Sequence, residues 1–256
     1  MKHKGTYVYG VIAAARRPRL TRTPAGLPGA GPVRLLDVAA GLFLAVGDLP
    51  LDRYNAQAIE RGLQDLNWVS RVAVAHEAVV ESFITSTAIL PMKLFTIFTT
   101  DERALDHVQA QRARISALVT RVANRQEWGI RVVLDRTLAA AARPKKKPVR
   151  SGTGASYLAQ KKAQRDAASE LASRARDTVA GLFDRLEAKA DDAKRRAASE
   201  LPVQGGPLLL DAAFLVPRAR ATAFKALAAR ESRVLARQGY GLTVSGPWPP
   251  YTFVQE

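Results

Sequence analysis

His76 and Glu77 are the neighbouring pair in this chain best suited to metal or proton-transfer chemistry, and the residues around them argue against both. A zincin-type site needs two histidines four residues apart, so that both ligands face one side of a helix with a glutamate between them as general base. Val80 occupies the second ligand position, and the remaining histidines, His3 and His107, offer no ligand spacing. His76 also falls on an apolar stripe with Val72, Val79 and Phe83, where a core or interface histidine belongs. Glu77 and Glu81 lie one helical turn apart on a shared face. Paired carboxylates can divide acid and base roles. With no nucleophile or metal beside them, they read as a solvated or salt-bridged face, or as a partner contact in so basic a chain. Gly152-Thr153-Gly154 is no phosphate loop, since it follows a basic stretch and lacks the Gly-Lys-Ser/Thr ending. No Gly-x-Ser-x-Gly elbow marks a hydrolase nucleophile, and the lack of cysteine removes thiolate chemistry and disulfides together. No catalytic residue, cofactor or metal ligand is assigned.

The remaining candidates are aromatic. Gly246-Pro247-Trp248-Pro249-Pro250-Tyr251-Thr252-Phe253-Val254 brackets a tryptophan with three prolines. Each proline fixes its own backbone angle and drives the residue before it out of the helical region. Trp248 and Tyr251 are thus held on an extended rail, with Trp248 expected to be buried. The segment has two readings: a clamp over one domain, or an aromatic patch offered to a partner. Glu77, Glu81, Trp248 and Tyr251 are the candidate partner contacts.

Charge sets the alternative. The 256 residues carry 39 Lys+Arg against 23 Asp+Glu, a formal net charge of +16, which attracts polyanions and opposes self-association. One basic patch comprises Arg16, Arg17, Arg19 and Arg22; a second comprises Arg143, Lys145, Lys146, Lys147 and Arg150. These fit a nucleic-acid-binding protein, but no interleaved aromatics form a stacking platform. A solvated surface plus a basic loop is the other reading of the same residues. No apolar run approaches the ~20 residues of a membrane span, and Met1-Lys2-His3-Lys4-Gly5 leads straight into a strand without a signal peptide. A soluble, cytoplasmic protein is expected.

The elements that must position these residues follow from patterning. Tyr7–Ile12 reads as a core strand, and Val33–Val38 with Leu42–Val46 as a hairpin around Gly41. Asp52 is the expected cap of a short helix through Leu63, and an amphipathic helix runs from Trp68 through Phe83. Met92–Phe98 reads as a strand after Pro91. Thr100 starts a helix reaching Ala123, and Gly129–Leu134 is the next strand. After the basic loop, one long helix is predicted from Tyr157 to Leu201, packed closely at Leu182 and Leu186 and tapering to alanine. Leu208–Val216 is a central strand, Pro217 starts a helix burying Phe224, Leu227 and Leu235, and Leu242–Ser245 closes the set. The fold class is α+β in two domains. A mixed N-terminal domain spans 1–125. A ferredoxin-like, split βαβ domain with a long helix spans 126–256, with a basic loop at 143–154 and the Pro/Trp-rich tail at 246–256.

Several of these segments, in this order, resemble the gas vesicle GvpL/GvpF family: Tyr7-Val8-Tyr9-Gly10-Val11, His76-Glu77 with Val79-Val80-Glu81, Leu90-Pro91-Met92-Lys93, Gly154–Leu158 with Lys161-Lys162, Leu210–Val216, and the tail. One departure stands out. Where the family usually has Arg-Phe-Gly-Thr, this chain reads Lys93-Leu94-Phe95-Thr96, so any close backbone approach at the glycine is lost or repacked. The resemblance implies a non-enzymatic assembly factor or minor component of gas vesicles, hollow protein shells formed in the cytoplasm. It implies binding to the hydrophobic shell protein GvpA and to other accessory proteins, limiting aggregation and aiding nucleation.

Overall fold

Nine of the ten residues of strand β1 (Lys4–Ala13) are buried, because it runs through the middle of a sheet whose faces are both covered. The computed structural model describes residues 4–21, 23–135, 154–196 and 206–254. The chain divides into two compact units, Met1–Glu127 with Pro247–Glu256, and Trp128–Gly246.

In the first unit, β2 (Arg34–Ala39), β3 (Leu42–Pro50), β1 and β4 (Ala88–Pro91) lie in the order β2-β3-β1-β4, and β5 (Ile97–Phe98) also pairs with β1. Every one of these pairings is antiparallel. The β2–β3 hairpin turns at Gly41, whose φ of 73° is open to glycine at no steric cost. Helices α1 (Leu51–Tyr54) and α2 (Ala56–Gly62) replace the single short helix expected. The cap is Asn55, not Asp52: its side chain accepts from the Ala58 amide at 2.9 Å. Helix α3 (Leu66–Glu81) buries Val72, His76, Val79 and Val80, in keeping with its stripe. Thr100 caps α4 (Asp101–Ala110) as expected, but the helix breaks at Gln111 and resumes as α5 (Arg112–Val122). Arg34 of β2 fixes α4 by bonding Asp101 at 2.6 Å and Asp48 of β3 at 2.7 Å, while the Thr6 hydroxyl of β1 donates to Asp101 at 2.6 Å.

The strand predicted over Met92–Phe98 is largely a turn. Strand pairing falls instead on Ala88–Pro91, and Pro91 is its last residue, where no ladder amide is required. The amide of Thr96 donates to the Lys93 carbonyl at 3.2 Å, and Phe95 has φ of 64° while Leu94 does not leave the negative region. This is the signature of a type II turn, which demands φ > 0 at its third residue.

The second unit follows the order β6 (Arg125–Leu134), α6 (Gly154–Glu187), β7 (Asp192–Arg195), β8 (Leu208–Pro217), a 3₁₀ turn, α7 (Ala221–Ala236) and β9 (Tyr240–Trp248). The strand order β7-β8-β6-β9 is that of a ferredoxin-like split βαβ unit. Leu182 and Leu186 of α6 are fully buried in one core with Phe214, Phe224 and Trp128. The long helix stops at Glu187, and Asp192–Arg195 pairs antiparallel with Ala212–Leu215. Strand β7 was hidden in the alanine repeat, since Ala190 and Ala193 keep a helical spacing while packing against the core from outside the helix. β8 is buried on both faces, as its continuous apolar run requires; its one acid, Asp211, accepts from Arg131 at 3.1 Å and Arg196 at 2.8 Å. The 143–153 part of the basic loop, Arg22, and the Ala197–Leu201 end of the predicted helix lie outside the described residues.

Residues 247–256 group with the first unit rather than with the 126–256 domain expected from the sequence. The reason is burial: Phe253 and Val254 of the short helix α8 (Tyr251–Val254) are buried, and α8 packs on β4.

Candidate functional site

His76 projects from α3 onto β1, where its Nδ1 lies 2.7 Å from the Tyr7 hydroxyl and its ring stacks on Tyr9 at 5.7 Å. It is 4% exposed, and desolvation lowers its pKa to about 4, opposed only by a hydrogen bond to the Met92 carbonyl. The ring is therefore neutral near pH 7. Nδ1 and the Tyr7 hydroxyl share one buried hydrogen bond, whose donor is set by the imidazole tautomer. Burial pushes the Tyr7 pKa upward, opposed by the nearby Phe95 amide. The result is a buried, hydrogen-bonded aromatic cluster joining α3 to β1. At 4% exposure the imidazole is part of the core of this unit.

The 92–96 turn is reinforced by aromatic packing. The Phe95 ring stacks on Trp68 at 5.6 Å and 8° between planes, and Trp68 in turn meets Tyr54 at 6.2 Å. Trp68 lies so close over Gly62 that a Cβ there would come within 2.5 Å of the indole. Phe95 thus keeps the left-handed backbone of a glycine position and uses its side chain to complete an aromatic stack. The positive φ costs of order 1–2 kcal/mol, and the stack returns about 0.5–1.5 kcal/mol beyond its burial.

The proline-bracketed tail closes against the same unit. Glu127, 3% exposed, accepts from the Thr252 amide at 2.7 Å and the Thr252 hydroxyl at 2.6 Å. That carboxylate serves one of the otherwise unsatisfied amides in the first turn of α8. Pro249, Pro250, Phe253 and Val254 are buried, and Tyr251 packs against the cluster containing Tyr7, Tyr9 and Val80. Tyr251 sits in the field of Glu77, Glu81 and Glu127, and burial first, then those carboxylates, raises its pKa. Glu81 is pushed up by burial and by Glu77. Three of the four candidate contacts, Glu77, Glu81 and Tyr251, therefore belong to one acidic neighbourhood.

Trp248 departs from expectation. It ends β9, its side of the strand is open, and it is 39% exposed. The buried anchor of the tail is Phe253, which the sequence reading passed over. Its signal was its place after two prolines: a short helical turn there rotates the next large apolar residue inward. Glu127 was also missed, because its role depends on a partner 125 residues away in sequence. Of the first basic patch, Arg17 is engaged: it bonds Asp37, donates to the Leu35 carbonyl at 2.7 Å, and lies over the Phe43 ring.

Residues 5–255 match the model of the family described as gas vesicle synthesis protein GvpL/GvpF. The chain belongs to this family. It is 30% identical over 254 residues to gas vesicle protein L of Streptomyces sp. (strain CB03234), covering 96% of this chain and 91% of that protein. It is also 30% identical over 261 residues to gas vesicle protein F of the same strain, covering 98% and 99%. The fold matches the crystal structures of GvpF from Anabaena sp. PCC7120 (TM-score 0.70, 20% identity, 99% of this chain and 97% of that one) and from Microcystis aeruginosa (TM-score 0.67, 16% identity, 98% and 99%). As a GvpL/GvpF family member, the chain shares with these structures the α+β architecture expected from its element order. Among the described residues, no helix is long and apolar enough to cross a membrane.

Proposed function

We propose that this GvpL/GvpF family member acts in the cytoplasm as a gas vesicle assembly protein, working by binding and without a catalytic centre. Its partners are the hydrophobic shell protein GvpA and other accessory proteins. By covering exposed apolar surface of the shell subunit until it is incorporated, it limits aggregation and aids nucleation. The observation that carries this reading is the family match across residues 5–255, tail included. It is supported by large apolar side chains left at the surface, Leu66 at 82% and Val74 at 61% on α3, with Trp248 at the end of β9. Glu77 and Trp248, both exposed, are the proposed contact residues. Glu81 and Tyr251 support them, since both are half-buried.

Deleting the gene from a vesicle-forming host with no second copy should abolish or deform the vesicles. Complementation by a Trp248→Ala, Glu77→Lys variant should restore them poorly although the protein accumulates normally. Vesicles of normal number and shape in the deletion strain would refute the proposal.

A further inference from the structure

A cleft of about 300 Å³ opens in the first unit between the β1–β4 edge and helices α4 and α5. Its floor is apolar and buried, formed by Val11, Leu90, Val108 and Ile115, and Val254 of the tail closes one wall. Met92 and Leu118 line it while remaining half-exposed, so the apolar surface continues from floor to mouth. Not one lining residue is acidic. Two are cations on different elements: Lys93, in the turn after β4, and Arg114, on α5. Both are exposed, and among the described residues neither forms an ion pair. Arg114 makes only a long 3.4 Å bond to Gln111, which itself contacts His107 at the mouth.

The volume sits at the lower bound of small-ligand pockets. An open cleft of that size admits a few bulky side chains, and the flexible thioether of Met92 lets its wall adapt to them. We propose that this cleft docks a segment of another protein that presents aliphatic side chains one helical turn apart beside a carboxylate. The aliphatic groups fill the floor. The carboxylate meets Lys93 or Arg114, two charges that nothing within the described residues neutralises, in a chain of net charge +16. The inference goes beyond the shell-protein reading, because it specifies the chemistry of an occupant whichever protein supplies it.

The test uses the full-length protein and short fluorescein-labelled helical peptides, none derived from a gas vesicle protein. One carries two leucines a turn apart followed by glutamate; a second has lysine in place of the glutamate. Anisotropy titration should show the glutamate peptide binding roughly five- to tenfold more tightly, as one or two partly exposed ion pairs provide. The double variant Lys93→Glu, Arg114→Glu changes only exposed side chains and should reverse that order. Leu118→Asp should abolish binding of both peptides with an unchanged melting temperature; if that variant unfolds, the charge reversal alone decides. Equal binding of the two peptides, or no binding of either, overturns the proposal. So does binding of dodecanoate at Met92 and Leu118, mapped by NMR, in the absence of peptide binding, since that would make the cleft a site for acyl chains.

Discussion

Truncating Phe253 should damage this protein far more than truncating Trp248, the reverse of what their sequence setting suggests. The Phe253 ring is fully buried in the first unit, whereas the Trp248 indole is 39% exposed. Removing a buried phenylalanine costs about 3–5 kcal/mol, part lost transfer energy and part the cavity left behind. Trp248→Ala should cost at most about 1 kcal/mol, as for a partly exposed side chain away from a packed core. Against a typical stability of about 5–15 kcal/mol, the Phe253 loss is a large fraction. With a urea slope of about 2 kcal/mol/M, it should lower the midpoint of the first unit by roughly 2 M. The two units have separate cores, so a global probe would mix two transitions. Peptide-resolved hydrogen exchange across a urea series separates them, with β1 and α3 reporting on the first unit. In Phe253→Ala those amides should lose protection at much lower urea, while α6 and β8 change little. If β1 and α3 stay protected as in the parent protein, or if Trp248→Ala costs more than Phe253→Ala, the assignment of the tail's anchor is wrong.

Two further outcomes test the site's interior. His76 titrates near 4 when folded and near 6.5 when unfolded. As pH falls from about 6.5 to 4, the unfolded chain therefore takes up a proton that the folded one does not. Stability should drop over that window by about 3 kcal/mol, and urea midpoints for His76→Phe should be flatter with pH, though lower at pH 7 because the buried Tyr7 hydroxyl loses its hydrogen-bond partner. Phe95→Gly relieves the positive φ but deletes the stack on Trp68. It should be mildly destabilising, by about 1 kcal/mol, with a red-shifted Trp68 emission. A clear gain in stability would mean that the stack contributes nothing.

Much of this architecture was legible in the chain because it depends on local pattern. The stripe Val72, His76, Val79 on α3, the Gly41 hairpin, the Thr100 cap and the doubly buried β8 each follow from periodicity or from turn and cap chemistry, which act over a few residues. The misreadings share a cause as well. Strand β7 carries alanines at helical spacing and is a strand only because β8 offers it a hydrogen-bonding edge. Met92–Phe98 has strand-like residues but bends, since the Tyr9 carbonyl and Val8 amide bind Met92 and Thr96 across the turn.

The sequence by itself determined the family and most of the element order, with β7 and the 92–96 turn as the exceptions, because motif order and residue type are one-dimensional properties. Tertiary structure alone decided which side chains became anchors. Burial and pairing depend on residues distant in sequence: Glu127 on Thr252, His76 on Tyr7 and Met92, Phe95 on Trp68. Three prolines ensured that Trp248 would be held rigidly, but not on which side of its strand it would find cover, and it found little.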